Sequence, residues 1–281
     1  MNIYEAVVLG IVQGFTEFLP VSSSGHLVLF QNLLGMREPM LAFDVAVHLG
    51  TLLAVFVYFG KDLIRMVVQS VLFAVKFPFA SDKDEVHQQY PYAAITGFVI
   101  LASVPTFLIA IAFKDMFEYL FSSVAAVGFA WLVMGILLVL SRWFQESNAR
   151  FLTMMNHRDA FFIGIAQGIA IIPGISRSGS TILGGMLCGI EKKDAARFSF
   201  LIGIPAILGA AVLKMREGID FFASYPAALI AGFVMSALVG YFVIGFLLKV
   251  LGKGKFYLFG YYCLVLSVVT IVYGLLTGGN S

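Results

Sequence analysis

Two polar segments lie where water is scarce, and they limit what this chain can fold into. Residues 173–181 read Pro-Gly-Ile-Ser-Arg-Ser-Gly-Ser-Thr between apolar runs at 160–172 and 182–190. Residues 21–26 read Val-Ser-Ser-Ser-Gly-His, between an apolar run at 1–19 that carries Glu5, Gln13 and Glu17 and breaks at Pro20, and a second run at 27–35. A helix needs about 20 apolar residues to cross a bilayer, so none of the four runs is a comfortable span. Non-helical backbone at membrane depth is tolerated only where protein buries it or it lines a wet cavity. Each polar segment is therefore expected to be the tip of a re-entrant helix pair that dips into the bilayer and returns.

Composition supplies the bilayer. The 281 residues are 60% hydrophobic and 12% charged, with mean hydropathy +0.95, far from the averages of soluble domains. A net charge of +2 with no basic block is too small to argue for nucleic acid, and no nucleic-acid partner is expected. The 28 Phe suit contact with membrane lipid. Cys188 and Cys263 are isolated, which suggests neither a disulfide nor a cysteine metal site. No basic n-region precedes the first apolar run, so that run is expected to stay in the mature protein.

Between the two tips come three stretches long enough to cross, 42–60, 92–113 and 123–143, and three more follow at 198–213, 226–250 and 257–276. Residues 62–76 mix charged and apolar positions as an interfacial helix does. Pro105 is expected to kink the second span. The halves also match by residue: Gly10-Ile-Val-Gln-Gly14 aligns with Gly164-Ile-Ala-Gln-Gly168, and Ser22-Ser-Ser-Gly25 with Ser176-Arg-Ser-Gly179, both at a shift of 154. The expected fold is thus an all-α integral membrane protein forming one domain over 1–281. It is built as an inverted-topology repeat, about 1–144 and about 159–276, each half a re-entrant pair plus three transmembrane helices. With the 61–91 connection inside, 13 of the 18 Lys and Arg fall inside, Arg37, Lys114, Lys214 and Arg216 fall outside, and Arg177 lies within the membrane. Both termini are then outside.

Inverted re-entrant tips enter from opposite faces and meet near the midplane. There Gly174, Ser176, Ser178, Gly179 and Thr181 are expected to form an anion-binding concavity, with Arg177 as a planar clamp for phosphate. Opposite them stand Gln13 and Glu17, four apart on one helix face, and Ser22, Ser23, Ser24 and His26. Nucleophile, base, carboxylate and clamp are all present, as transfer chemistry at an anionic centre requires. Each residue also has a bland role available. Serines bond back to the preceding turn, a histidine packs, a buried acid stays neutral, and residues 173–181 could be an ordinary polar turn. Asp44 and His48 form a further i, i+4 pair, either satisfying one another or serving as supporting or metal-site residues. Nucleotide-loop, G-x-S-x-G and H-E-x-x-H patterns are absent.

These two motifs, Gly14-Phe-Thr-Glu-Phe-Leu-Pro-Val-Ser-Ser-Ser-Gly-His26 and Pro173-Gly-Ile-Ser-Arg-Ser-Gly-Ser-Thr181, resemble those of the bacterial undecaprenyl-diphosphatases of the bacitracin-resistance type, over nearly the whole chain. The resemblance implies a plasma-membrane hydrolase that removes the terminal phosphate of undecaprenyl diphosphate, a polyprenyl lipid carrier of peptidoglycan synthesis. It also implies a divalent cation, Mg2+ or Ca2+, and a site open to the outer side. Carried over by position, Ser23 is the nucleophile, His26 its base or later acid, Glu17 a base or metal partner, and Arg177 the phosphate clamp. Gln13, Ser22 and Ser24 join the phosphate-binding set. The family takes Glu or Gln at the first acidic position, and Gln13 here shifts the base role to Glu17. His26 as nucleophile stays open, because the Ser-Gly-His turn is also similar to that of the acid phosphatases that work through a phosphohistidine. A flippase on the same inverted-repeat fold is the alternative function. Homodimer formation is left open.

Overall fold

The structure is a computed structural model that describes residues 1–36, 40–79, 83–121, 123–144, 149–214 and 225–276. Arg37 and Arg216, two of the cations counted above, lie outside the described residues, as do Ser122 and Gln145. Thirteen α-helices are described: α1 (Ile3–Phe18), α2 (Ser23–Leu33), α3 (Leu41–Tyr58), α4 (Gly60–Lys76), α5 (Lys83–Gln89), α6 (Pro91–Ala112), α7 (Lys114–Phe121), α8 (Val124–Leu140), α9 (His157–Ile169), α10 (Arg177–Leu187), α11 (Lys192–Lys214), α12 (Pro226–Gly252) and α13 (Leu258–Leu276). With lipid outside, every backbone donor has to be satisfied within the protein, and helices do this segment by segment.

Both interrupted regions are short helix pairs. α1 has 16 residues and α2 has 11; α9 has 13 and α10 has 11. At 1.5 Å per residue these reach only about 16–24 Å. Among the described residues five helices are long and apolar enough to cross a bilayer, namely Pro91–Ala112, Val124–Trp143, Lys192–Leu213, Pro226–Gly252 and Leu258–Leu275. A sixth is obtained if α3 and α4, bent by 75°, count together. The expected first span therefore resolves into α3, followed by a helix that turns sharply away. α4 leaves Ile64, Val67, Val68, Val71, Leu72 and Val75 exposed on one side, at the i, i+3, i+4 spacing of a single stripe. That is the pattern of a helix lying in a membrane interface. Its start is held by Asp62, which takes Arg197 at 2.9 Å, while Arg197 also reaches Asp194 at 3.0 Å. Pro105 lies inside α6, and the helix continues through it.

The two halves are interlaced. α1 packs along α12, whereas α9 packs along α6, and α8 and α13 pair with one another. α1 and α9 thus each lie against a long helix from the other half of the sequence. Glycines at matching positions let the backbones approach. A Cβ on Gly10 would stand 2.6 Å from the Gly232 carbonyl oxygen, and one on Gly164 would overlap the Ala102 carbonyl. The buried centre is built from Phe18, Trp131, Phe198 and Phe200, with Phe18 meeting Phe200 edge-on at 5.3 Å.

Gly164→Ala should lower the thermal midpoint in detergent, since overpacking costs about 1–3 kcal/mol. Gly209→Ala, on α11 with open space around it, should leave the midpoint unchanged or raise it. Equal shifts in the two variants would contradict the close α6–α9 packing.

Candidate active site

α1 begins with a capping box between Asn2 and Glu5 and stops at Leu19 and Pro20, where the chain becomes extended. The four carbonyls that follow are each held by a side chain. Leu19 O accepts from Ser178 Oγ at 3.1 Å and Ser176 Oγ at 3.5 Å. Pro20 O accepts from Cys263 Sγ at 3.6 Å. Val21 O accepts from Trp131 Nε1 at 2.8 Å, and Ser22 O from His26 Nδ1 at 2.7 Å. These donors come from α10, α13, α8 and α2. Buried carbonyls without such partners would be costly, and this wiring fixes a turn in which Ser22 adopts φ +66°. Such a positive φ is uncommon outside glycine.

From that turn α2 starts, with Ser22 as its N-cap accepting from the Gly25 amide. α10 starts the same way, with Ser176 accepting from the Gly179 amide at 3.1 Å after a loop in which Gly174 has φ +93°. The first residues of the two helices are Ser23 and Arg177, which are equivalent at the 154-residue shift. Both reach one carboxylate. Ser23 Oγ donates to Glu17 Oε2 at 2.7 Å, and Arg177 Nη2 donates to Glu17 Oε1 at 2.5 Å. Gln13 Nε2 adds a bond to Oε2 at 3.0 Å, one helical turn back. His48 Nε2 stands 3.6 Å from the same oxygen. The other Arg177 nitrogen donates to Ser199 O at 3.1 Å, and a Cβ on Gly203 would collide with the guanidinium. Glu17 is 6% exposed and Gln13 0%.

The two tips therefore meet, and Gln13, Glu17, Ser23, His48 and Arg177 come together. His26 does not join them. Its Nδ1 is taken by Ser22 O, its Nε2 by Tyr262 Oη at 2.7 Å, and its ring stacks on Tyr262 and meets Trp131 edge-on. The side chain facing Ser23 Oγ is Glu17, where the sequence pointed to His26 as its base. Nor are the hydroxyls of the second tip free. Those of Ser176 and Ser178 are spent on Leu19 O and on each other at 3.1 Å, and Thr181 bonds Arg177 O at 2.8 Å and Ser199 Oγ at 2.6 Å. Gly174 and Gly179 pack against Val127, Ala130, Met134 and Pro20. This tip clasps the first one and presents Arg177. Ser24 bonds Ser22 Oγ at 3.3 Å. Asp44 accepts from Gln31 at 2.8 Å, and its backbone carbonyl takes His48 Nδ1 at 2.6 Å, so the expected Asp44–His48 pairing runs through the backbone.

A carboxylate bonded to a hydroxyl on one oxygen and a guanidinium on the other is an arrangement that can serve as a base and an anion clamp beside a nucleophile. Residues 6–269 match the family described as Bacitracin resistance protein BacA. The chain belongs to that family. It is 40% identical over 274 residues to the undecaprenyl-diphosphatase of Desulforapulum autotrophicum, covering 98% of this chain and 99% of the relative. It is 42% identical over 275 residues to that of Desulfosudis oleivorans, covering 98% and 100%. Trp131, Ser199, Tyr262 and Cys263 are the site's supports that the sequence did not single out. Only Trp131 carried a signal, an indole N–H in mid-span that needs an acceptor.

Trp131→Phe should leave the Val21 carbonyl without its donor, at a cost of about 1–3 kcal/mol. Hydrogen–deuterium exchange should then speed up across residues 19–26 and stay unchanged across 160–169. Unchanged exchange at the turn would contradict the role given to the indole.

Proposed function

We propose that this multi-pass membrane protein hydrolyses undecaprenyl diphosphate to undecaprenyl phosphate and inorganic phosphate, returning the lipid carrier to peptidoglycan synthesis. The observation that carries the reading is Glu17 held between Ser23 and Arg177, in a chain whose full-length relatives are named undecaprenyl-diphosphatases. The residue assignments rest on that geometry. Ser23 Oγ attacks the terminal phosphorus and gives its proton to Glu17 Oε2, which passes it to the departing lipid monophosphate as the P–O–P bond breaks. Water then attacks the phosphoserine and gives a proton to the freed carboxylate, which delivers it to Ser23 Oγ as inorganic phosphate leaves. Arg177, at the first turn of α10, shares its donors between Glu17 and the phosphoryl oxygens, where negative charge is spread in the transition state. The N-termini of α2 and α10 add their positive dipole ends. Ser23 is favoured over His26 as nucleophile because both His26 nitrogens are engaged elsewhere.

A divalent cation fits this site. Among the described residues no three His, Cys, Asp or Glu side chains group as a metal site. However, Glu17 supplies a carboxylate, and the fully buried Gln13 has an Oε1 that accepts no hydrogen bond. One or two protein oxygens completed by substrate phosphates is how Mg2+ is usually held. When bound, the cation would neutralise charge on the diphosphate. We place the protein in the bacterial plasma membrane as two inverted repeats, about 1–144 and 159–276. Both termini and the site open outward, a reading supported by the cation excess on the other side.

Purified protein in detergent should release phosphate from a polyprenyl diphosphate, and Ser23→Ala, Glu17→Gln and Arg177→Ala should each lower kcat on the order of a thousandfold. Acid quench with substrate labelled at the terminal phosphate should place the label on Ser23. A label on His26, or none, would overturn the serine assignment. A protein that binds the lipid and never releases phosphate would instead be a lipid flippase.

A further inference from the structure

The His48 ring is oriented with its lone pair facing a carboxylate. Its Nδ1 lies 2.6 Å from the Asp44 carbonyl oxygen. A carbonyl can only accept, so Nδ1 carries a proton, and in the tautomer this selects Nε2 is an acceptor. That Nε2 stands 3.6 Å from Glu17 Oε2. Two acceptors face each other at a distance that needs something positive between them. The neighbouring amide has the same shortage. Gln13 gives its Nε2 to Glu17, which fixes the amide's orientation, since the opposite one would set two oxygens against each other. Its Oε1 then accepts nothing, in a residue that is 0% exposed.

We infer that His48 Nε2 is a ligand of the divalent cation, with Glu17 Oε2 and Gln13 Oε1 as its protein oxygens and the diphosphate supplying more. A ring nitrogen whose N–H partner is a backbone carbonyl is the usual arrangement of a metal-bound histidine, because that bond sets both tautomer and ring orientation. The ligand positions lie on α1 and α3, which pack together. Arg177 occupies the other Glu17 oxygen, so cation and guanidinium approach the carboxylate from separate sides. One nitrogen among oxygens favours a first-row divalent ion such as Mn2+ over Ca2+, which takes oxygen ligands. The inference rests on the cation reading above and adds to it a residue and an ion preference.

The test is pulsed electron paramagnetic resonance of Mn2+ bound to the purified wild-type protein in detergent together with methylenediphosphonate, a diphosphate that cannot be hydrolysed. The expected spectrum has a phosphorus coupling from the diphosphonate and a nitrogen coupling that changes when the protein is made with 15N-histidine. His48→Gln should lose the nitrogen coupling, keep the phosphorus coupling and weaken Mn2+ binding about tenfold or more. His26→Gln should keep both couplings. Phosphorus coupling without histidine nitrogen in the wild type would overturn the His48 assignment and leave the cation reading standing, the outcome expected if a shared proton fills the gap. Absence of both couplings would overturn both. Because the labelled wild type decides, the result does not depend on the variants folding.

Discussion

Burying Glu17 against Arg177 is the interaction on which the rest of the structure depends. A charge at membrane depth is expensive, and it persists only when paired and fully hydrogen-bonded. Here the pair is 2.5 Å apart with side-chain exposures of 5% and 18%. Removing one partner of such a pair leaves an uncompensated charge, which costs about 3–5 kcal/mol. The two residues lie 160 positions apart, on short helices whose facing ends are also joined by Ser176 and Ser178 bonding the Leu19 carbonyl. Site and topology therefore share one contact, because a bond that joins the two tips also sets the guanidinium and the Ser23 hydroxyl on one carboxylate.

Around that bond the fold spends its buried polar groups on holding one turn still. Leu19, Pro20, Val21 and Ser22 offer four carbonyls in a row, and each is claimed by a donor from a different helix. A backbone so constrained can carry Ser22 at positive φ and present the Ser23 hydroxyl to Glu17 in a single direction. His26 belongs to this wiring. Its ring is a brace between Ser22 and Tyr262, packed against Trp131.

Much of the architecture was legible in the sequence because bilayers allow few solutions. Run length separates α1, α2, α9 and α10 from the spans, and the 154-residue match between Gly10-Ile-Val-Gln-Gly14 and Gly164-Ile-Ala-Gln-Gly168 marks two faces where backbones meet. Glu17, Ser23 and Arg177 were legible as polar groups in an apolar setting. The direction of each hydroxyl was not, because a serine in a helix can serve the preceding turn, a neighbouring loop or a ligand with the same local sequence. Ser176, Ser178 and Thr181 turned to loop and helix carbonyls. The bonding of His26 was not legible for a related reason. Its closeness to Ser23 in sequence says nothing of ring orientation, which Tyr262, 236 residues away, decides. Ser199 and Cys263 gave no sign, since each looks like a small buried residue in a span.

The unequal fates of matching positions explain why one site forms and not two. Position 17 has isoleucine as its counterpart at 171, and Ser23 has Arg177. Gln167, the counterpart of Gln13, gives its amide to Thr106 and the Ile202 carbonyl, and so stitches α9 to α6 and α11 where Gln13 serves the carboxylate. Suppose both helix starts carried arginine: Glu17 would be neutralised at each oxygen and no hydroxyl would face it. Suppose both carried serine: the carboxylate would sit in the membrane interior without a counter-ion and would have to take up a proton, losing its capacity as a base. A hydroxyl and a guanidinium can meet on one buried carboxylate only if the matching positions 23 and 177 differ.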